Sequence, residues 1–370
     1  MSRLRVLVAT PDFPPTRGGI QHMVYRLVSN WRRVEVRVLT FRSSGARQVD
    51  SELGCQVVRP LPDSDGKLHW LAVAGLNVAT FLEALWFRPD VVLSAHVVVS
   101  PAAWVTSQVL GVPFVQYVYG SEVMSRPGAA RFACAHAAAV VAISRFSEDL
   151  VAHHISDGSR LRLIPPGVDL PRAHGGQSVR QPFVVTVARL EERYKGHDVL
   201  IRAMPLIRAR VPQARLVVIG DGQLRPVYRA WASSLGLDEA VTFLGELPDE
   251  ARDQWLDTAS VFALPSRVGS TGGEGFGIVY LEAAVHGLPV VAANVGGARD
   301  AVVDGVTGVL VEPTDHVAVA DAIADLLADP ARGRALGMAG QARARNFAWP
   351  QIALRVEDLL LEVAAGRHSV

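Results

Sequence analysis

Residues 261–293 read VFALPSRVGSTGGEGFGIVYLEAAVHGLPVVAA, and the order of residue types in that stretch decides the fold class. The apolar run Val261–Leu264 is short, uncharged and stopped by Pro265, as suits a strand buried on both faces. A glycine-rich loop follows, and a helix is expected over Gly277–His286. A second apolar run, Pro289–Ala293, comes next. Strand, helix and strand in this order build a parallel sheet covered by helices.

The pattern repeats in both directions. Downstream of residue 181, strands are expected at Phe183–Val187, Arg215–Ile219 and Val241–Leu244, with helices at Asp198–Arg210, Leu224–Leu235, Glu250–Thr258 and His316–Ala328. Upstream, strands are expected at Leu4–Ala9, Val34–Thr40, Val91–Leu93, Phe114–Val118 and Val140–Ile143, with a helix at Ile20–Trp31. Between them, residues 165–181 are rich in Pro, Gly and polar residues and read as a linker. A chain of 370 residues exceeds the usual size of one core. Two α/β domains are therefore expected, 1–168 and 181–347.

Composition narrows the function. Hydrophobic residues are 49% and charged residues 20%, with a net charge of +1, which fits a globular protein and argues against a nucleic-acid partner. Residues 1–170 carry 17 Lys/Arg against 13 Asp/Glu, and the rest 20 against 23. A mildly basic first half would suit an anionic acceptor or a membrane surface, although noise produces differences of this size. Cys55 and Cys134 lack metal-ligand spacing and read as reduced thiols of a cytoplasmic protein, with no metal expected. The start, MSRLRVLVAT, runs into a strand pattern rather than an apolar leader. The apolar stretch Val91–Tyr119 is broken by His96, Pro101, Gln108, Gly111, Pro113 and Gln116, so it reads as buried strand, helix and strand rather than a membrane span.

Three segments carry chemistry. In EGFGIVYLE, Glu274–Glu282, the glycines Gly275 and Gly277 let a ligand approach the chain, and the N–H groups of Gly277, Ile278 and Val279 would face a diphosphate. Glu282 could accept hydrogen bonds from a ribose diol, and Glu274 could reach a sugar. The plainer reading is a tight turn with a solvated glutamate at each end. In VARLEERYKG, Val187–Gly196, Arg189 and Lys195 follow a strand and could neutralise a diphosphate leaving group. Lone basic loop residues are usually solvated, but a second phosphate-compatible loop in the same domain weakens that reading. In RGG, Gly18 and Gly19 precede a helix. The loop from Thr10 to Gly19 is long and holds Pro11, Pro14 and Pro15, unlike a dinucleotide-binding turn, which counts against a nicotinamide dehydrogenase.

Together these segments resemble the retaining glycosyltransferases of family 4, which have the GT-B fold of two facing Rossmann-like domains. The resemblance rests on FPPTRGG, GSE at Gly120–Glu122, AIS at Ala142–Ser144, IPPGVD, VARL, KGHD, VVIGDG, VTFLGELP, EGFG with Glu282, GLPVVA and NVGG, in that order along nearly the whole chain. It implies an acceptor-binding first domain and a second domain that binds a nucleotide-diphospho-sugar donor. Arg189, Lys195 and Glu274 become the catalytic set. Arg189 and Lys195 would hold the diphosphate, with Gly18 and Gly19 approaching from the other domain. Glu274 would bind the transferred sugar, backbone from Gly275 through Phe276 and Gly277 to Ile278 the sugar and phosphate, Glu282 the ribose, and Leu247 the base. It further implies transfer with retention, no metal and no permanently bound cofactor. It also implies a last helix, 348–364, crossing back to the first domain.

Two departures stand out. Tyr119 replaces the histidine that many relatives carry before GSE, so Tyr119, His96 and Glu122 are the candidate acceptor contacts. The long loop Val268–Gly273 is similar to that of phosphatidylinositol-mannoside mannosyltransferases. It points to GDP-mannose and a lipid acceptor, beside the other pairing of a UDP-sugar with a saccharide or small molecule. The helix Ile20–Arg33 mixes basic and apolar residues, and peripheral contact of the first domain with the inner face of a membrane is one expectation. Packing of that stripe on the sheet is the other. His136, His153, His154 and His286 read as helix-surface residues. The rival to a transferase is a nucleotide-sugar-binding or epimerase-type protein on the same fold.

Overall fold

The computed structural model describes residues 3–62, 70–170, 180–269 and 272–366. Most of the expected linker, 171–179, and two residues of the Val268–Gly273 loop, Ser270 and Thr271, lie outside that description. The chain divides into two compact units, Met1–Gly167 with Trp349–Val370, and Val168–Ala348.

In unit 1 the order is β1 (Leu4–Ala9), α1 (Gly19–Asn30), β2 (Val34–Leu39), α2 (Ala46–Glu52), β3 (Gln56–Val58), α3 (Trp70–Phe87), β4 (Val91–Ser94), α4 (Ser100–Leu110), β5 (Phe114–Val118), α5 (Ser121–Ser125), α6 (Pro127–His136), β6 (Ala139–Ala142), α7 (Arg145–Val151) and β7 (Leu161–Leu163). In unit 2 follow β8 (Phe183–Val187), α8 (His197–Arg210), β9 (Arg215–Ile219), α9 (Arg225–Ser234), β10 (Val241–Gly245), α10 (Asp249–Thr258), β11 (Val261–Leu264), α11 (Ile278–Val285), β12 (Val290–Ala293), α12 (Ala298–Ala301), β13 (Gly308–Val311), α13 (His316–Ala328) and α14 (Pro330–Ala344). Helix α15 (Trp349–Gly366) returns to unit 1.

Both sheets are parallel, ordered β3-β2-β1-β4-β5-β6-β7 and β10-β9-β8-β11-β12-β13. This is the GT-B class of α/β fold, with two Rossmann-like units. The order reverses at β1/β4 and at β8/β11. Loops leaving the carboxyl ends of the strands at such a reversal part from one another and leave room for a ligand. The central strands are buried on both faces, as in Val6–Ala9 and Val261–Leu264, which is why each reads as an unbroken apolar run.

Helix α1 buries Met23, Val24, Leu27 and Val28 and packs against α15. The expected apolar stripe of this helix is therefore used inside the unit. Glu357 of α15 is buried and accepts the backbone N–H groups of Arg32 (2.7 Å) and Arg33 (2.8 Å), just past the end of α1. A charge-assisted bond of this kind ties the last helix to the first.

Helix α3 is an element that the sequence analysis leaves unassigned. Among the described residues it is the one helix long and apolar enough to span a membrane by length and composition. It lies along the sheet instead. Leu76, Thr80, Ala84 and Phe87 are buried, and Asn77 donates to the Val98 carbonyl (2.9 Å) and accepts from the Ala102 N–H (2.9 Å). In unit 2, α14 carries Gly333, Gly337 and Gly340 among its buried residues. A methyl group on Gly337 would collide with the Gly287 carbonyl oxygen, so this helix owes its close approach to a residue of poor helix propensity.

Candidate functional site

At the unit 2 switch point, β8 and β11 lie side by side and their loops meet. Gly196, at φ +80°, starts α8, and a side chain there would strike the Pro265 carbonyl oxygen, so only glycine lets the two loops approach so closely. Arg267 fastens them. Its guanidinium grips Asp198 through two bonds (2.9 and 2.8 Å), and its N–H donates to the Tyr194 carbonyl (2.6 Å). The paired geometry fixes the Arg193–Lys195 turn against the loop after β11.

Lys195 is thereby aimed at Glu274. Its ammonium lies 2.8 Å from the Glu274 carboxylate, with both side chains largely buried, and 5.0 Å from the centre of the Tyr194 ring. Burial alone would lower the Lys195 ammonium, but Glu274, Tyr194 and Glu192 more than offset it and hold it above its ordinary range. The neighbouring His197 is pushed down to about 4 by burial and then by Lys195, so it is neutral near pH 7.

Three residues beyond Glu274, Gly277 is the N-cap of α11 at φ +86°, with no side chain capping the helix. A side chain there would strike the Tyr280 ring, which is fixed by a hydroxyl bond to the Leu264 carbonyl (2.8 Å). Gly297 packs directly against the Gly275 backbone, and its N–H donates to the Glu274 carbonyl (3.0 Å). The result is a rigid glycine loop leading into a helix start whose N–H groups carry the positive end of the dipole. Phe276 is buried and contacts Phe347 (5.9 Å between ring centres).

Of the other unit 2 candidates, Arg189 is exposed and paired with Glu192 (3.3 Å) rather than drawn in beside Glu274. Ile278 opens α11, and Leu247 sits half-buried in the turn before α10. Glu282 is half-buried on α11 beside Arg252 of α10. Burial lowers that guanidinium, but Glu282, Asp249 and Asp253 raise it further. His286 is not a surface residue. Its side chain is 5% exposed, with Nδ1 2.7 Å from Asp257 at the end of α10.

The unit 1 switch point is built from different residues. Gly18 and Gly19 lead into α1, with open space around Gly19. Beside them Asp12 accepts from Gln21 (2.9 Å) and lies 3.9 Å from His96 Nε2. His96 is buried, its Nδ1 accepts from the Val98 N–H (3.2 Å), and burial with Arg126 pushes it down to about 3. It is a neutral ring capping a turn. Tyr119 is buried, and its hydroxyl donates to the Ala95 carbonyl (2.9 Å). Glu122 is buried and accepts the Tyr119 N–H (2.6 Å), and burial pushes its carboxyl up to about 7. The Arg267–Asp198 clamp, the Lys195–Glu274 pair and Asp12 were not readable from spacing, because each joins residues far apart in sequence or carries no local motif.

Two family models cover most of the chain, Glycosyltransferase Family 4 over residues 17–172 and Glycosyl transferases group 1 over residues 171–343. A GDP-mannose-dependent alpha-(1-6)-phosphatidylinositol monomannoside mannosyltransferase of Mycolicibacterium smegmatis is 35% identical, covering 96% of this chain and 98% of that protein. Among solved structures, a sucrose-phosphate synthase from Thermosynechococcus elongatus superposes with a TM-score of 0.82 at 23% identity, covering 99% of this chain and 100% of the other. Anabaena Alr3699/HepE in complex with UDP and glucose superposes at 0.79 and 22%, covering 97% and 100%.

Proposed function

The chain belongs to glycosyltransferase family 4, and from that premise we propose that it moves a mannosyl unit from GDP-mannose to an inositol-bearing lipid, with retention of anomeric configuration. The observation that carries the reading is the Lys195–Glu274 pair, 2.8 Å apart, beside the uncapped glycine start of α11. A positive group and free backbone donors match the diphosphate of a nucleotide-diphospho-sugar, and a carboxylate in the same place matches its sugar hydroxyls. The M. smegmatis relative, similar over almost its full length, supports the choice of base, sugar and acceptor class.

In the resting site Lys195 and Glu274 neutralise each other. The donor's diphosphate takes its place at the α11 start and draws Lys195 to itself, leaving Glu274 to accept hydroxyls of the sugar. Arg189, exposed on the β8 loop, can swing to the same diphosphate. As the bond from the anomeric carbon to the diphosphate oxygen breaks, negative charge grows on that oxygen beside the cations and N–H groups, which supply the charge a metal supplies in other transferases. The acceptor hydroxyl attacks from the face the leaving group departs, and its proton passes to the diphosphate oxygen. Unit 1 takes the acceptor, with Asp12 and the loop around His96 as its polar contacts.

Incubation with GDP-mannose or UDP-glucose and phosphatidylinositol monomannoside tests this, with products read by mass spectrometry and anomeric configuration by NMR. An α-mannosyl product from GDP-mannose is expected. A β-linked product overturns retention, a glucosyl product overturns the donor, and conversion of free donor without acceptor establishes an epimerase instead.

A further inference from the structure

Helices α3 and α4 pack together on one face of the unit 1 sheet. Their 18 and 11 residues hold a single ionisable side chain, Glu83, and it is paired with Arg37 at 2.5 Å. A surface of ordinary composition would place about six charges in two such helices. The outward face of α3 is instead apolar. Trp70 (69% exposed), Val78 (60%), Leu82 (58%) and Trp86 (70%) recur on it at helical spacing with Leu71 and Leu85, and Val109 of α4 is exposed as well. Contiguous apolar surface of this extent on a soluble unit marks a contact site.

We propose that this face docks unit 1 on a lipid bilayer, with α3 lying in the interfacial plane. Two tryptophans bracket the aliphatic residues about 24 Å apart along the helix, and tryptophan is the side chain enriched where headgroups meet acyl chains. Two of the arginines beside α3, Arg37 and Arg5, are engaged within the protein, and Arg88 is the exposed cation next to Phe87. Arg37 stacks on Trp86 (4.2 Å) while paired with Glu83, and Arg5 stacks on Phe87 (4.3 Å) with its guanidinium 3.8 Å from Glu35. Docking is therefore driven by apolar insertion rather than by attraction to anionic headgroups. The face also adjoins the acceptor side of the unit, because Asn77 of α3 holds the backbone of the segment that follows His96. The choice of a bilayer over another partner rests on the lipid-acceptor reading above, since a phosphatidylinositol-type acceptor is held in a membrane by its acyl chains. The basic-apolar helix 20–33 is not the docking element, since α1 buries its stripe against α15.

Flotation of the full chain with phosphatidylcholine vesicles, and with vesicles containing phosphatidylglycerol, at low and high salt, tests the inference. Equal flotation with both vesicles at both salts is expected. The variant carrying Val78→Glu and Leu82→Glu should lose at least tenfold in vesicle partition with unchanged circular dichroism, since both side chains are exposed. Absence of flotation overturns the proposal, as does flotation that needs phosphatidylglycerol and vanishes in salt, or that survives in the variant. A salt-resistant dimer that the variant converts to monomer, without vesicle binding, assigns the face to a second copy instead. Thermal shift by GDP, measured on the same samples, reads the donor half separately, so the docking inference and the transferase reading can fail independently.

Discussion

At the unit 2 switch point the strand-end loops carry Lys195, Glu274 and a glycine-capped helix, whereas the matching loops of unit 1 carry Asp12 and His96, with Glu122 after the next strand. The sheets are wound alike, so topology cannot account for the difference. The turns after β11 and β4 differ, although α1, after β1, also starts at a glycine with no side-chain cap. After β11 the chain supplies Gly277 with no side-chain cap, so its donors remain available to a ligand. After β4 the His96 ring accepts the Val98 N–H and closes the first turn. One switch point is open to an anion. The other holds Asp12 beside the neutral, buried His96 ring.

The sharpest way to break this contrast is to remove the charges of unit 2. Lys195→Ala and Glu274→Ala should each cut turnover by about 10²–10³-fold, as loss of a transition-state contact typically does, with circular dichroism unchanged and some loss of melting temperature from the partner charge left buried. Near-normal rates in both variants would falsify the assignment of the site. In unit 1, the contrast predicts a stability effect of the opposite kind. The Glu122 carboxyl is raised from 4.5 to about 7 by burial, so the folded state holds its proton more tightly than the unfolded chain. Stability should fall as pH rises from about 4.5 through about 7, costing at most about 3 kcal/mol above that window. Glu122→Gln should therefore raise the melting temperature at pH 8 and leave it nearly unchanged at pH 4. An equal shift at both values would show that Glu122 ionises freely.

A subtler effect separates the resting pair from the working site. Glu274→Gln frees Lys195 from its partner, so titration calorimetry should find GDP bound about three- to tenfold more tightly, a gain of about 1 kcal/mol, the net size of one ordinary hydrogen bond. Weaker GDP binding would mean that Glu274 orders Lys195 rather than competing for it. The smallest effect belongs to Tyr119→Phe. It removes one internal hydrogen bond, so about 1 kcal/mol of stability should be lost with activity within about twofold. A loss of turnover by orders of magnitude would return the hydroxyl to the acceptor.

The parts of the fold legible in the sequence were those whose burial leaves a local trace. β8, β9, β11 and β12 are buried on both faces and read as apolar runs. β3 and β7 are three-residue, half-buried edge strands with no run to read. Helix α3 lacked a polar face to set its period, and the three glycines of α14 hid a helix that tertiary packing imposes. At the site, the residue types of Glu274, Lys195 and Gly277 were readable because glycine and charge before a helix are local signals. The pairing of Lys195 with Glu274 spans 79 residues and the clamp of Arg267 on Asp198 spans 69, and neither separation leaves a periodic mark. His286 was misread for the same reason, since its partner lies on another helix.

Unit 1 is interrupted by all of unit 2, and the interruption has its two ends together, since Val168 bridges Ala348 and donates its N–H to the Phe347 carbonyl (2.8 Å). During translation this imposes an order. At about 5–20 residues per second, the nascent first half waits roughly 10–40 s for α15, while the inserted half emerges whole and folds ahead of it. Until that last segment leaves the ribosome, the stripe of α1 stays uncovered, so premature termination near residue 348 should yield a finished unit 2 attached to a chaperone-dependent unit 1.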